Sequence, residues 1–241
     1  MSTQSHDQTR GDSTPFFSEM QSAPLSCNEA ASLCMKAARG AGMSWGMAEE
    51  AGFSAAWLVA HGLDGPSFLR AHLERADGKD WLDLFPTIVP GNWQNAEGQA
   101  ACPIILGATM CDYAQLPEGP VAGAKIMLGS VSAPILLLPF LSELGHQHGL
   151  SFALAGSTGS VCIAEDPASL QAAAKLLDAA QLELTMSVKV DDTSNHTAAS
   201  IPNAQTTAAT IAALNTFAMR TTVPATDASR AGAGSTLSDN D

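Results

Sequence analysis

Ser151-Phe152-Ala153-Leu154-Ala155-Gly156-Ser157-Thr158-Gly159-Ser160-Val161-Cys162-Ile163-Ala164 is the stretch that decides the fold. Ser151–Ala155 and Ser160–Ala164 alternate apolar with small or polar residues, the period-2 pattern of half-buried strands. Gly156-Ser157-Thr158-Gly159 supplies the turn between them, so the stretch predicts a β-hairpin. Phe152, Leu154, Val161 and Ile163 are its core-facing side. Downstream, Glu183–Val190 alternates in the same way: Leu184, Met186, Val188 and Val190 on one side, Glu183, Thr185, Ser187 and Lys189 on the other. One buried and one wet face describes an antiparallel sheet. Between them Asp166-Pro167 predicts a capped helix through Leu170, Ala174 and Leu177.

Upstream the periodicity is helical. Ser26-Cys27-Asn28-Glu29 fits a capping box, in which Ser26 and Glu29 each satisfy a free amide at a helix start. Leu33, Ala37 and Ala41 follow at helical spacing, with Gly40 and Gly42 as a stop. A second helix is expected from about Ser44 to His61, and Asp64-Gly65-Pro66 opens a third through Leu69, His72 and Leu73. Trp81 to Gln99, with Pro86, Pro90, Gly91 and Gly98, reads as a loop-rich connection. The runs Pro103–Ala108, Lys125–Val131 and Ile135–Phe140 read as buried strands, although periodicity alone does not exclude helix for runs this short. Thr206 to Arg220 is expected to be a last helix with Ile211, Leu214 and Ala218 inward.

Helices first and strands afterwards give an α+β class, a helical N-terminal part followed by a mainly antiparallel sheet with a few helices. The expected organisation is a disordered tail over 1–24, a helical subdomain over 25–76, an α+β core over 77–190, a linker over 191–205, a helix over 206–220 and a C-terminal tail over 221–241. The lack of regular βαβ alternation argues against a Rossmann fold.

Charge narrows the function classes. The 241 residues carry 11 Lys+Arg against 24 Asp+Glu, a formal net charge of 11 − 24 = −13. Phosphate backbones and anionic membrane surfaces need clustered cations, so neither nucleic acid nor membrane is an expected partner. No apolar run reaches the roughly 20 residues of a membrane-spanning helix. The five cysteines form no C-x-x-C pair, which argues against a disulfide scaffold and a structural zinc site. Residues 1–24 lack the apolar stretch of a secretory signal, so a cytoplasmic protein is expected.

Three places can carry chemistry. The first is Arg39-Gly40-Ala41-Gly42 leading into Glu49-Glu50. Two carboxylates in an Ala- and Gly-rich apolar helix are unusual, and partial burial would raise a pKa and suit a general acid or base. Favourable placement of acid near a helix N-terminus is the plainer account. The second is His146-Gln147-His148, which Gly145 and Gly149 frame as a solvated turn. No third ligand is indicated, so no metal is expected. The third is the ending, with Arg220 and Ser229-Arg230 before a Gly-rich loop. By composition this is a disordered tail, but arginine beside such a loop also suits a carboxylate or phosphate. Trp45, Trp57, Trp81 and Trp93 are read as packing residues.

Ala37-Ala38-Arg39-Gly40-Ala41-Gly42 with Ala48-Glu49-Glu50-Ala51-Gly52, the Pro134–Phe140 run and the Arg220–Asp241 ending together resemble an uncharacterised bacterial family of unknown function. The resemblance extends over roughly Leu25 to Asp241 and implies that the Arg220–Asp241 tail docks onto the body. Ala37 to Leu73 is also similar in layout to the N-terminal helices of malate/L-lactate dehydrogenases. Asp64-Gly65-Pro66 stands where those enzymes have Ser-His-Gly, so the catalytic histidine is missing and neither NAD binding nor hydride transfer is implied.

Two functions are expected from different classes. In one, an enzyme or enzyme subunit acts on a small acidic metabolite, with Glu49 or Glu50 as acid/base and Arg39, Arg220, Ser229 and Arg230 holding its carboxylate. In the other, a non-catalytic binding or assembly protein docks on a partner enzyme. Neither specifies a cofactor, and homo-oligomerisation stays open.

Overall fold

Ser26 and Glu29 close the capping box as their spacing implies. The Glu29 N–H donates to Ser26 Oγ at 3.2 Å, and the Ser26 N–H donates to Glu29 Oε2 at 2.9 Å. They start α1 (Cys27–Gly40) in a computed structural model that describes residues 22–95, 98–163, 167–191 and 204–221. Helix α2 (Trp45–Ala60) is capped by Ser44, and α3 (Gly65–Ala76) by Asp64 with Pro66 in its first turn. Chain order continues through a 3-10 turn at Trp81–Leu84, α4 (Pro103–Asp112), α5 (Leu138–His148), α6 (Pro167–Leu177) and α7 (Ala208–Met219). Asp166, the expected cap of α6, lies outside the described residues, as do tail positions 1–21 and 222–241.

The sheet is antiparallel throughout, in the order β2 (Lys125–Ser132), β5 (Gln181–Val190), β3 (Leu150–Gly156), β4 (Gly159–Ile163). The β3–β4 hairpin forms in the expected register, with Phe152 opposite Ile163 and Leu154 opposite Val161. Strand β5 returns to lie between β2 and β3 and buries Leu184, Met186 and Val188. Val190 was expected to point inward but is 61% exposed, because it ends the strand beside Leu150 at the sheet's margin. A two-residue pair, β1 (Ser22–Ala23) with β6 (Thr206–Thr207), joins the segment before α1 to the start of α7. The class is α+β, as the sequence implies.

Two expected strands are helices. Pro103–Ala108 opens α4, and Ile135–Phe140 divides between a 3-10 turn at Pro134–Leu137 and the first turn of α5. Proline is the physical reason. It cannot donate to a strand ladder, but it fits the first turn of a helix, where its missing N–H has no partner anyway. Pro103, Pro134 and Pro139 all occupy such positions. Both runs are apolar on every side because they are buried on every side, which erases the helical period. His146 and His148 lie in the last turn of α5, before Gly149 at φ 63, and not in a free turn. Two residues apart on a helix, their rings diverge.

One cluster of buried side chains runs from Cys34 to Phe217 and takes in the helices and one sheet face. Helix α1 packs between α2 and α7, and glycine permits the spacing. A Cβ on Gly52 would lie 2.8 Å from the Ala31 carbonyl oxygen, and one on Gly40 would lie 1.8 Å from that of Phe217. Trp93 is fully buried, whereas Trp45 is 63% exposed and does not pack in the core as expected. No helix among the described residues is long and apolar enough to cross a membrane.

Gly40→Ala is expected to lower unfolding stability by about 1–3 kcal/mol through overpacking of α1 on α7. Gly46→Ala, in open space on α2, is expected to raise it by about 0.5–1 kcal/mol. Urea midpoints of the two variants check the pair. Equal midpoints would mean that the α1–α7 spacing yields freely.

Candidate functional site

The charged residues singled out in the sequence lie on α1, on α2 and after α7. Arg39, near the end of α1, donates from Nη1 to the Met43 carbonyl at 2.5 Å, and its guanidinium lies 5.2 Å from the Trp45 ring centroid. Glu49 is exposed on α2 and lines an open depression with Asn28, Ala31, Ser32, Met35, Gly52 and Phe53. Glu50 is half-buried one residue on. Burial, then the charges of Asp112 and Glu49, hold its carboxyl above the usual carboxylate range. Arg220 follows α7 and forms a two-pronged pair with Asp77 at 2.6 and 3.0 Å, its guanidinium 4.4 Å from the Phe217 ring centroid. This pair ties the end of α7 to the end of α3. Neither Arg39 nor Arg220 is ion-paired with Glu49 or Glu50. Ser229 and Arg230 lie outside the described residues.

A second constellation went unread in the sequence. His72, inside α3, places Nε2 3.2 Å from Cys102 Sγ and Nδ1 3.1 Å from Ser132 Oγ. All three residues are buried. Local backbone structure brings them together. The Ala101 N–H donates to the Ser130 carbonyl at 2.8 Å, and the Ser132 N–H donates to the Ala101 carbonyl at 3.1 Å. This sets Ala101 beside Val131 and so puts Cys102 next to Ser132. The Cys102 N–H donates to the Leu84 carbonyl at 3.1 Å, which places the Trp81–Leu84 turn over the group. Trp81 packs edge-on to His72 with ring centroids 6.0 Å apart. Ala133, next to Ser132, has a left-handed backbone at φ 40, which costs a non-glycine residue about 1–2 kcal/mol.

Cys102 also occupies the N-cap position of α4. Burial pushes its thiol up to about 12. The Ile105 and Ile104 backbone N–H groups oppose that rise without closing a capping hydrogen bond to the side chain. Burial, with smaller contributions from Arg75 and Lys79, pushes His72 down to about 3. Thiol and imidazole are therefore both neutral near pH 7. With the proton on Nδ1, the ring donates to Ser132 and leaves Nε2 as an acceptor facing sulfur. Thiol, imidazole and hydroxyl thus stand in line at hydrogen-bond distances. The missed signal was Cys102-Pro103: read as N-cap and first helical residue, it places a thiol at a helix N-terminus.

His72 also makes stability depend on pH. Its folded pKa of about 3 lies below its ordinary 6.5. Between these values the unfolded chain takes up the proton and the folded chain does not. Stability is therefore expected to fall as pH drops from about 6.5 toward about 3, by at most about 1.4 kcal/mol per pH unit from this group. Urea midpoints across that range should decline more steeply in the wild type than in His72→Gln. Parallel declines would remove His72 as the cause.

Comparison with curated proteins and with solved structures gives no match. A family model does match, and its span is shorter than the resemblance read over Leu25 to Asp241: Pro134–Phe140 and Arg220–Asp241 fall outside it. Arg39, Glu49, Glu50, His72 and Cys102 fall inside, with Cys102 its last residue. Residues 25–102, about a third of the chain, are similar to a family described as protein of unknown function (DUF3726).

Proposed function

We propose that this protein is a docking module whose α1–α2 face receives an apolar, positively charged helix of a partner protein. The observation that carries this reading is the outward stripe of α2. Trp45, Glu49 and Phe53 follow one another at four-residue spacing and so share a face. Trp45 and Phe53 are 63% and 37% exposed, on either side of a carboxylate. The depression beside Glu49 and Phe53 measures about 310 Å3. Single exposed apolar residues are ordinary. Two exposed aromatic side chains in line on one helix face, one of them lining the depression, make an apolar patch of the kind that marks interfaces. Arg39 stacked on Trp45 fixes the indole in place, and Trp and Arg dominate binding hot spots. Glu49, Glu50 and a net charge of −13 favour a cationic partner. Five unpaired cysteines suit a reducing, cytoplasmic setting.

A second reading, acid/base chemistry on a small carboxylate-bearing metabolite, draws on the raised carboxyl of Glu50. It asks for a cation near that group. Arg220 is engaged by Asp77, and the charges acting on Glu50 are carboxylates. The docking reading needs no such cation.

Quantitative affinity capture with the wild type, a Trp45→Ala, Phe53→Asp double variant and Met219→Ser tests it. A stoichiometric partner is expected on the wild type and on Met219→Ser. Its affinity for the double variant should fall about 30-fold, as for loss of a hot-spot tryptophan. Equal retention by all three proteins, or recovery of only a second copy of this chain, would reject the proposal.

A further inference from the structure

We infer that Cys102 and His72 form a nucleophile–base pair for acyl transfer from a thioester or activated ester, covered by the Trp81–Leu84 turn. The inference is independent of the docking face, which shares no residue with this group. Its basis is geometric. Cys102 Sγ lies at the N-terminus of α4, 3.2 Å from His72 Nε2, and Ser132 Oγ lies 3.1 Å from Nδ1. Three separate elements, α3, α4 and β2, each contribute one member. A core that needed only apolar filling would not require a thiol, an imidazole and a hydroxyl in sequence.

Access runs through the covering turn. Trp81 is itself partly exposed and Leu82 is largely exposed, so one 3-10 turn stands between the imidazole edge and solvent on that side. The turn is held by the Trp81 Nε1–H donating to the Ala41 carbonyl at 2.9 Å, by Leu84 accepting from the Cys102 N–H at 3.1 Å, and by Asn95 donating to the Asp83 carbonyl. Displacing the turn breaks these three bonds and lifts Leu84 from the core, and it opens the sulfur to an ester carbonyl.

The chemistry balances without a further reagent. Once the turn is displaced and water reaches the pair, the burial that holds the thiol up and the imidazole down is lifted; the Cys102 S–H proton then passes to His72 Nε2, and the sulfur electron pair forms a bond to the acyl carbon. The bond from that carbon to the leaving alkoxide or thiolate breaks, and the leaving group takes the proton from the imidazolium. Water then attacks the acyl-sulfur carbon, releasing the carboxylic acid and restoring the thiol. A proton on Nδ1 donated to Ser132 Oγ gives the tautomer whose Nε2 accepts from sulfur.

Cys34 is the control within the same molecule. It is equally buried, and its charged neighbour is Asp64. The reduced full chain is treated with p-nitrophenyl acetate, and acetylation of each cysteine is followed by peptide mass spectrometry. Cys102 is expected to acetylate at least ~100-fold faster than Cys34, the scale of a positioned base. Trp81→Ala should speed Cys102 further, and His72→Gln in that opened background should slow it at least ~100-fold. Cys102 acetylating no faster than Cys34 in the wild type overturns the pair, with no variant needed. Should Trp81→Ala leave Cys102 no more reactive than the exposed Cys27 and Cys162, the sulfur is merely uncovered and the pair is likewise overturned.

Discussion

Two hydrogen bonds from Ala101 to the edge of β2 hold the molecule's two halves in register. Ala101 donates to Ser130 and accepts from Ser132, and so lies beside Val131 like a one-residue strand. The regular elements from α1 to the Trp81–Leu84 turn precede it, and the four-stranded sheet follows it. Because Ala101 is anchored, α4 begins at a fixed point and direction, and its fully apolar surface has one place to go. The same two bonds set Cys102 against Ser132, where His72 of α3 meets both. The start of α4 and the buried His72–Cys102–Ser132 group therefore share this contact, which Gly91 and Trp93 extend with two further bonds to Met127 of the same strand.

Much of the fold was legible where a local rule had a single solution. Ser26 and Glu29 satisfy each other's amides whatever surrounds them, and Gly156 to Gly159 admits little besides a turn between alternating flanks. Pro103–Ala108 and Ile135–Phe140 were opaque for a different reason. Complete burial removes the polar residues whose spacing would reveal a period, so strand and helix look alike in sequence. The prolines held the answer, since each stands where a helix tolerates it and a sheet interior does not.

The site was less legible than the fold because its pairings are long-range. Asp77 and Arg220 meet across 143 positions, and His72 and Ser132 across 60. No spacing rule reaches that far. Arg220, which looked complementary to the early glutamates along the chain, is committed to Asp77. The buried group was hidden by the same misreading that made α4 a strand. A cysteine at the end of a strand is filler, whereas a cysteine at the start of a helix faces free amides.

The β1–β6 pair and the contact of Gly40 with Phe217 have a bearing on how the chain is made. Helix α1 precedes α7 by about 170 residues in the chain, yet one of its two flanks is closed only by α7. Until then α1 and α2 present an uncovered apolar side for the time it takes to add some 170 residues, several seconds or more at cellular elongation rates. Completion of the helical layer therefore lags well behind the making of α1, and until α7 follows, α2 is the helix that shields it.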